Sequence, residues 1–347
     1  MVSHRPTVRR GPGRPGRVTG ISAAAAAAAA VLAPAVTAEA APRDEPRAVK
    51  ARVDRLHEQA ERAAERYNAA KEREEGLEER IDELQDEAAR GQERLNRLRE
   101  GLGPVATAQY RSGGIDPAVG LVLSSEPGEY LDRAATLERV AGRRAAELRE
   151  AVAAQREVRQ KRAEATTTLD RLDETRAQLA AHRRAVQSRL AAARRLLDRL
   201  DPAERARLGL GPGDGRAPLP DRYQEGLRTA PASGRAAAAV AAAQRAVGLP
   251  YVWGASGPSS FDCSGLMVWS YRQAGVALPR TSQGQLNAGR RIPLEEARPG
   301  DLVLYRGDAS HVAMYVGGGQ VVHAPRPGAA VRYDPVDMMP VTGVTRV

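Results

Sequence analysis

The chain has little cysteine and few aromatic side chains. One Cys stands in 347 residues, with one Phe and two Trp, and aromatics make up 3% of the composition. A single Cys excludes an intramolecular disulfide and every zinc site built on paired Cys. Neither zinc-finger spacing nor an RNA-binding aromatic motif is present, so nucleic acid is not an expected partner. Charge is abundant in both signs: 53 Lys+Arg face 43 Asp+Glu, formally +10. Nearly all the basic residues are Arg, which fits a GC-rich bacterial genome. A modest positive charge still favours anionic polymers such as cell wall.

Long hydrophobic runs are scarce too. "ISAAAAAAAAVLAPAV" is too short and too Ala-rich for a membrane span. It follows Arg5, Arg9, Arg10, Arg14 and Arg17 and precedes "TAEAAP", where Ala38 and Ala40 fit an A-x-A cleavage site. Residues 1–40 therefore read as an export signal, by either the general or the twin-arginine route. No Cys follows it, which excludes a lipoprotein anchor. Outside the cytoplasm a lone Cys is a free reactive thiol or an intermolecular link.

From Val49 to Leu102 the sequence carries a heptad. One seam runs Val53, Ala60, Tyr67, Glu74, Ile81, Ala88, Leu95, Leu102; the other runs Val49, Leu56, Ala63, Ala70, Leu77, Leu84, Gly91, Leu98. Seven-residue spacing keeps one stripe facing a partner helix, with Glu74 and Gly91 as the breaks. A second heptad stretch runs from about Ala134 to Leu200, through Leu137, Ala151, Val158, Ala165, Leu172, Leu179, Val186 and Ala193. These define an α-helical coiled-coil domain over 41–208 with a tip insert near 103–130. The helices either fold back on each other or pair in parallel between two copies. Residues 209–234, rich in Gly and Pro, read as a linker.

Residues 235–347 hold both Trp, the only Phe and five of the nine Tyr, so the globular core is expected there. "RAAAAVAAAQRAVG" and "CSGLMVWSYRQAG" read as helices ended by Gly248 and Gly275. "DLVLYR", "HVAMYVG", "QVVHAP", "VRYDPV" and "VTGVTRV" read as strands. Helices followed by antiparallel strands give an α+β fold.

The lone thiol sits in this domain. Asp262 is a good N-cap, which puts Cys263 in the first turn of its helix, where the unpaired N–H groups and the dipole favour a thiolate. Two of the five His residues are here, His311 and His323, separated by Gly317–Gly319. If the three glycines close a three-residue hairpin, Val316 opposes Gln320 and Ala313 opposes His323, and both imidazoles share one face. A two-residue turn would put them on opposite faces. Together these residues supply thiol chemistry: a thiolate attacks a carbonyl, His311 carries the proton, and His323 orients His311. Backbone N–H groups at the helix start would stabilise the oxyanion. A zinc site of Cys263, His311 and His323 lacks a fourth ligand at usual spacing, so no metal and no cofactor are expected.

"PYVWGASGPSSFDCSGLMVWSYRQAGVALPRTSQGQ", "RPGDLVLY" and "HVAMYVGGGQVVHAP" together resemble the NlpC/P60 cysteine peptidases of bacterial cell walls, in order and in spacing. The resemblance covers the whole C-terminal domain. It implies a papain-like α+β NlpC/P60 domain preceded by the coiled coil. Cys263 would be nucleophile, His311 base and His323 the third polar residue. It implies a secreted, wall-associated DL-endopeptidase that cuts peptidoglycan stem peptides between D-γ-glutamate and the diamino acid. It further implies that Tyr251 lies near the nucleophile, that Asp262 and Ser264 flank the substrate's amino end, and that Arg280, Thr281 and Ser282 border the groove. Ala255 stands where the family commonly has Gly. By architecture alone, the coiled coil resembles regions that dock on a division-associated membrane complex or hold such enzymes inactive. The alternatives are a coiled-coil adaptor that binds wall without hydrolysis, and an acyltransferase on the same fold.

Overall fold

The computed structural model describes residues 45–111, 119, 127–210 and 230–347. The expected export signal, the middle of the tip insert and most of the expected linker lie outside them. Two long helices come first, α1 (Pro46–Arg111) and α2 (Pro127–Leu197), then a short α3 (Pro202–Arg207). Their facing side chains decide between the two arrangements left open by the heptads. Arg176 bonds Glu74 and Glu78, Lys161 bonds Glu87, and Arg94 bonds Glu150, so numbers fall along one helix as they rise along the other. The hairpin is antiparallel and within one chain. Those pairs lie at the surface, where solvent screens them, so they add little. The seam contributes more: Val53, Ala63, Ile81 and Leu84 on α1, and Ala151, Val158, Leu179 and Val186 on α2, are buried. Gly91, a break in the heptad, accommodates its neighbour, since a Cβ there would lie 2.8 Å from Val158 Cγ2.

The insert begins later than its first Gly-Pro suggests. Helix α1 continues through Gly103 and Pro104 to Arg111. Proline removes one helical N–H, but Ala106, Ala108 and Gln109 are good helix formers and carry the spiral past it. Among the described residues, no helix is long and apolar enough to cross a membrane.

The C-terminal part opens with α4 (Gly234–Arg245), capped by Ser233 Oγ on the Ala236 N–H at 3.1 Å. Helix α5 (Cys263–Gln273) follows, then α6 (Ser282–Leu286) and a sheet of β1 (Arg290–Ile292), β2 (Leu302–Tyr305), β3 (His311–Gly317), β4 (Gln320–His323), β5 (Arg332–Pro335) and β6 (Val341–Arg346). The sheet is antiparallel in the order β1-β6-β2-β3-β4-β5. Alternation sorts its side chains. Leu302, Leu304, Val312, Met314 and Val322 join α4 and α5 in the main core, which also holds Phe261, Leu266, Met267 and Tyr271. Val303, Tyr305, Ala313 and Val321 form a second cluster on the other face. Helix α6 and strand β1 are absent from the sequence reading, because five and three residues are too few to show a period.

The β3–β4 hairpin corrects an expectation and keeps its consequence. The turn has two residues, Gly318 and Gly319, because Gly317 pairs with Gln320. Both turn glycines have positive φ, 61° and 70°, as a type I′ turn requires. The expected three-residue loop is therefore wrong. A shift of register between Tyr315 and Gly317 absorbs Val316 as an extra residue. Beyond it Met314 pairs with Val322, the alignment that the longer loop would have produced. His311 and His323 thus reach one another despite the tighter turn.

Candidate active site

Asp262 organises the start of α5. Its Oδ1 accepts the Gly265 N–H at 2.7 Å, and its Oδ2 accepts the Gly254 N–H at 2.8 Å. Arg280 donates to both carboxylate oxygens, at 3.0 and 2.7 Å, and to Ser264 Oγ at 2.8 Å. Cys263 is thereby fixed in the first helical turn, buried at 2% exposure. Tyr251 packs in the same core cluster as Cys263.

His311 opens β3 and is fully buried. Its Nε2 lies 2.8 Å from His323 Nδ1, and His323 Nε2 lies 2.8 Å from Asp334 Oδ2. The two rings meet edge to face at 89°. An Nδ1/Nε2 atom of His311, Cys263 Sγ and a carboxylate oxygen of Glu61 all fall within 4.8 Å of one another. The fold therefore brings together Cys263, His311, His323, Asp262 and Ser264, with Tyr251 beside them.

Sequence reasoning missed what covers them. Helix α1 lays His57, Glu61, Glu65 and Asn68 across the cleft. His311 Nδ1 and Glu61 Oε1 are 3.0 Å apart, and Arg306 pairs with the other Glu61 oxygen. Glu65 accepts the Ser264 hydroxyl at 2.8 Å and the Ser282 N–H at 2.7 Å, and its Oε1 lies 3.9 Å from Cys263 Sγ. Asn68 donates to Asp262 Oδ2 at 3.1 Å. Tyr67 meets Trp253 edge to face with ring centroids 5.2 Å apart. All four cleft-facing side chains are at most 7% exposed. The spacing 57, 61, 65, 68 is one helical face, and Ala60, Ala63 and Ala64 beside it let the backbone approach closely. That run, "HEQAERAAERYN", was the available signal. Its charges pass for the solvated flank of a coiled coil.

The covered site holds its protons in a defined order. Burial pushes the Glu61 carboxyl up, but His311 and Arg306 outweigh it and hold the group below the usual carboxylate range. Glu61 is then an acceptor, so His311 Nδ1 donates to it. Burial lowers His323 to about 4, despite the opposing pull of Asp334. Burial, reinforced by Glu65, Glu61 and Asp262, drives the Cys263 thiol well above its ordinary value. The thiolate expected from the helix start alone is thus overturned in this state: three carboxylates and desolvation exceed a helix-end effect of roughly 0.3–1 kcal/mol. Glu61, Cys263 and His311 also carry a zinc-type donor set. Their 3.0 Å Glu–His contact is that of a hydrogen bond, shorter than the ~3.3 Å that tetrahedral zinc keeps between ligands.

Glu65 makes the cover sensitive to pH. Burial and the neighbouring Asp262 raise it from 4.5 to about 7, against the pull of Ser282, Ser264 and Arg280. Uncovered, it titrates near its ordinary value. Its contribution to docking is therefore full below about 4.5 and is lost as pH rises through about 7. Glu61 acts oppositely, losing its contribution as pH falls below the carboxylate range. Opening of residues 57–68, followed by hydrogen exchange corrected for intrinsic rates, should rise about tenfold between pH ~6 and ~8. The same slope in Glu65→Gln would exclude Glu65 as its source.

This combination of sheet, helix-start Cys and paired imidazoles makes an α+β domain with a Cys–His site, and residues 248–344 match the NlpC/P60 family model. Over those residues the chain carries an NlpC/P60 domain. It is 41% identical over 131 residues to the probable endopeptidase Rv2190c of Mycobacterium tuberculosis, covering 36% of this chain and 34% of the relative. It is 44% identical over 104 residues to the peptidoglycan endopeptidase RipA of Mycolicibacterium smegmatis, covering 26% of this chain and 21% of the relative. Among solved structures, the NlpC/p60 domain of the peptidoglycan hydrolase SagA is 37% identical, with 32% of this chain and 98% of that chain covered at a TM-score of 0.31. The chain spans about a third or less of the length of these curated relatives.

Proposed function

We propose that this protein is a secreted peptidoglycan DL-endopeptidase held latent by its own coiled coil. The observation that supports it most directly is the His311–His323–Asp334 relay beside Cys263, with α1 carboxylates seated on it. Once α1 leaves, Glu61 and Glu65 no longer oppose ionisation of the thiol, and His311 Nδ1, its Glu61-bound proton passed to solvent, takes the thiol proton. The thiolate attacks the carbonyl carbon of the D-γ-glutamyl bond. Backbone N–H groups at the start of α5 receive the oxyanion. His311 Nδ1–H then protonates the departing amine of the diamino acid, leaving a thioester. Water, deprotonated by His311, hydrolyses the thioester and restores the thiol. Asp262 and Ser264 flank the amino end of the substrate, and Tyr251 lies near the nucleophile. Latency is chemical as well as steric: the cover occupies His311 Nδ1 with Glu61 and keeps the proton on the nucleophile.

The test is product identity. Peptidoglycan treated with the Glu61→Ala/Glu65→Ala chain should yield fragments with a new carboxylic acid on glutamate and a new free amine on the diamino acid, and iodoacetamide should stop their formation. Intact stem peptides would support the adaptor reading instead. Transfer to an added amine in preference to water would identify an acyltransferase.

A further inference from the structure

The imidazole pair ends on a group with no assigned role. Asp334 lies on β5, where the register pairs His323 with Arg332. Two residues along the same strand face, Asp334 is the diagonal neighbour of His323. A single oxygen, Oδ2, accepts from His323 Nε2–H at 2.8 Å and from Arg332 Nε–H at 2.8 Å. The Asp334 side chain is 23% exposed, while His323 is 2% and His311 0% exposed. Burial pushes the Asp334 carboxyl up, but His323 and Arg332 bring it below the usual range, so it is an acceptor only.

We propose that Asp334 is a positioning residue that sets the proton order of the whole relay, and this rests on the endopeptidase reading above. Neutral imidazole carries one N–H. By accepting His323 Nε2–H, Asp334 leaves His323 Nδ1 bare. That nitrogen can only accept, so it takes His311 Nε2–H. His311 Nδ1 is then the bare nitrogen in the uncovered enzyme, on the side where Glu61 now sits and the thiol proton must arrive. Without Asp334, His323 is free to hold its proton on Nδ1. It would then donate to His311 Nε2, and His311 would present an N–H, useless as a base, to the thiol. Arg332 keeps the acceptor oxygen aimed at His323.

The experiment uses the full chain with Glu61→Ala/Glu65→Ala as parent. In the parent, nitrogen NMR of the imidazoles should place the His323 proton on Nε2. Asp334→Ala should mix the His323 tautomers, lower kcat by about tenfold to a hundredfold with KM within about twofold, and slow iodoacetamide alkylation of Cys263 in parallel. Asp334→Asn should recover kcat to within about threefold of the parent, since its amide oxygen, selected by Arg332, can accept the same two bonds. A parent with the His323 proton on Nδ1 overturns the proposal, and this arm needs no variant to fold. An Asp334→Ala chain with parental kcat and alkylation rate, or one whose loss lies wholly in KM, overturns it as well. Should the parent cleave no peptidoglycan, the endopeptidase reading fails, while the tautomer and alkylation measurements still decide the role of Asp334.

Discussion

Replacing Glu61 and Glu65 together by alanine should raise the rate at which the full chain digests peptidoglycan by at least tenfold. Glu61 is the counter-charge of Arg306, which is 17% exposed in the docked state, and lies 3.0 Å from Nδ1 of the fully buried His311. Removing one partner of a buried pair costs roughly 3–5 kcal/mol, because the remaining charge stays desolvated and unpaired. Glu65 adds the bonds to Ser264 and Ser282. Docked alanines would recover none of this, and about 1.4 kcal/mol is tenfold in an equilibrium. The loss also falls only on the docked form, since undocked carboxylates are hydrated. Release of soluble muropeptides over time, at equal helix content by circular dichroism, measures the effect. Identical rates for wild type and variant would end the latency proposal.

In that opened chain, Cys263→Ala or His311→Ala should each reduce hydrolysis by at least about a thousandfold. Cys263 supplies the only thiol in the chain, so no other side chain can replace the thioester intermediate. His311 is the imidazole whose nitrogen approaches the sulfur, and His323 is one ring further away, so the second His cannot stand in for the first. The double variant should be hardly slower than either single one, because the two residues act as a unit. EDTA should leave the rate unchanged. Either single variant with a rate near that of its parent would exclude the Cys–His mechanism.

The domain fold was legible because its signals are local. Asp262 before an apolar run announces the helix that carries Cys263, and alternation announces β2 to β6. The meeting of the two imidazoles was legible in outcome and wrong in detail. Glycines announce a turn, but whether Gly317 belongs to the loop or to the strand depends on a bulge that no single residue signals. Asp334 was hidden because its role is a cross-strand relation between β4 and β5, visible only once their register is known. The cover over the site was hidden for a different reason. Glu61 and Glu65 are ordinary coiled-coil residues by composition, and only the position of the C-terminal domain against α1 turns a solvated face into a buried one. The raised Cys263 follows from the same contacts, so it could not have been read from the helix start.

Helix α1 is both the cover and a long strut. At 1.5 Å per residue, the stretch from Glu65 to Arg111 reaches about 70 Å from the sulfur, stiffened by α2 along its side. Such a rod works as a lever with its short arm in the cleft: swinging the far end by ~12 Å about the docking point rotates the cleft end by only about 10°. A modest pull applied at the far end of α1 would therefore act with mechanical advantage on the Glu61 and Glu65 contacts that cover the nucleophile.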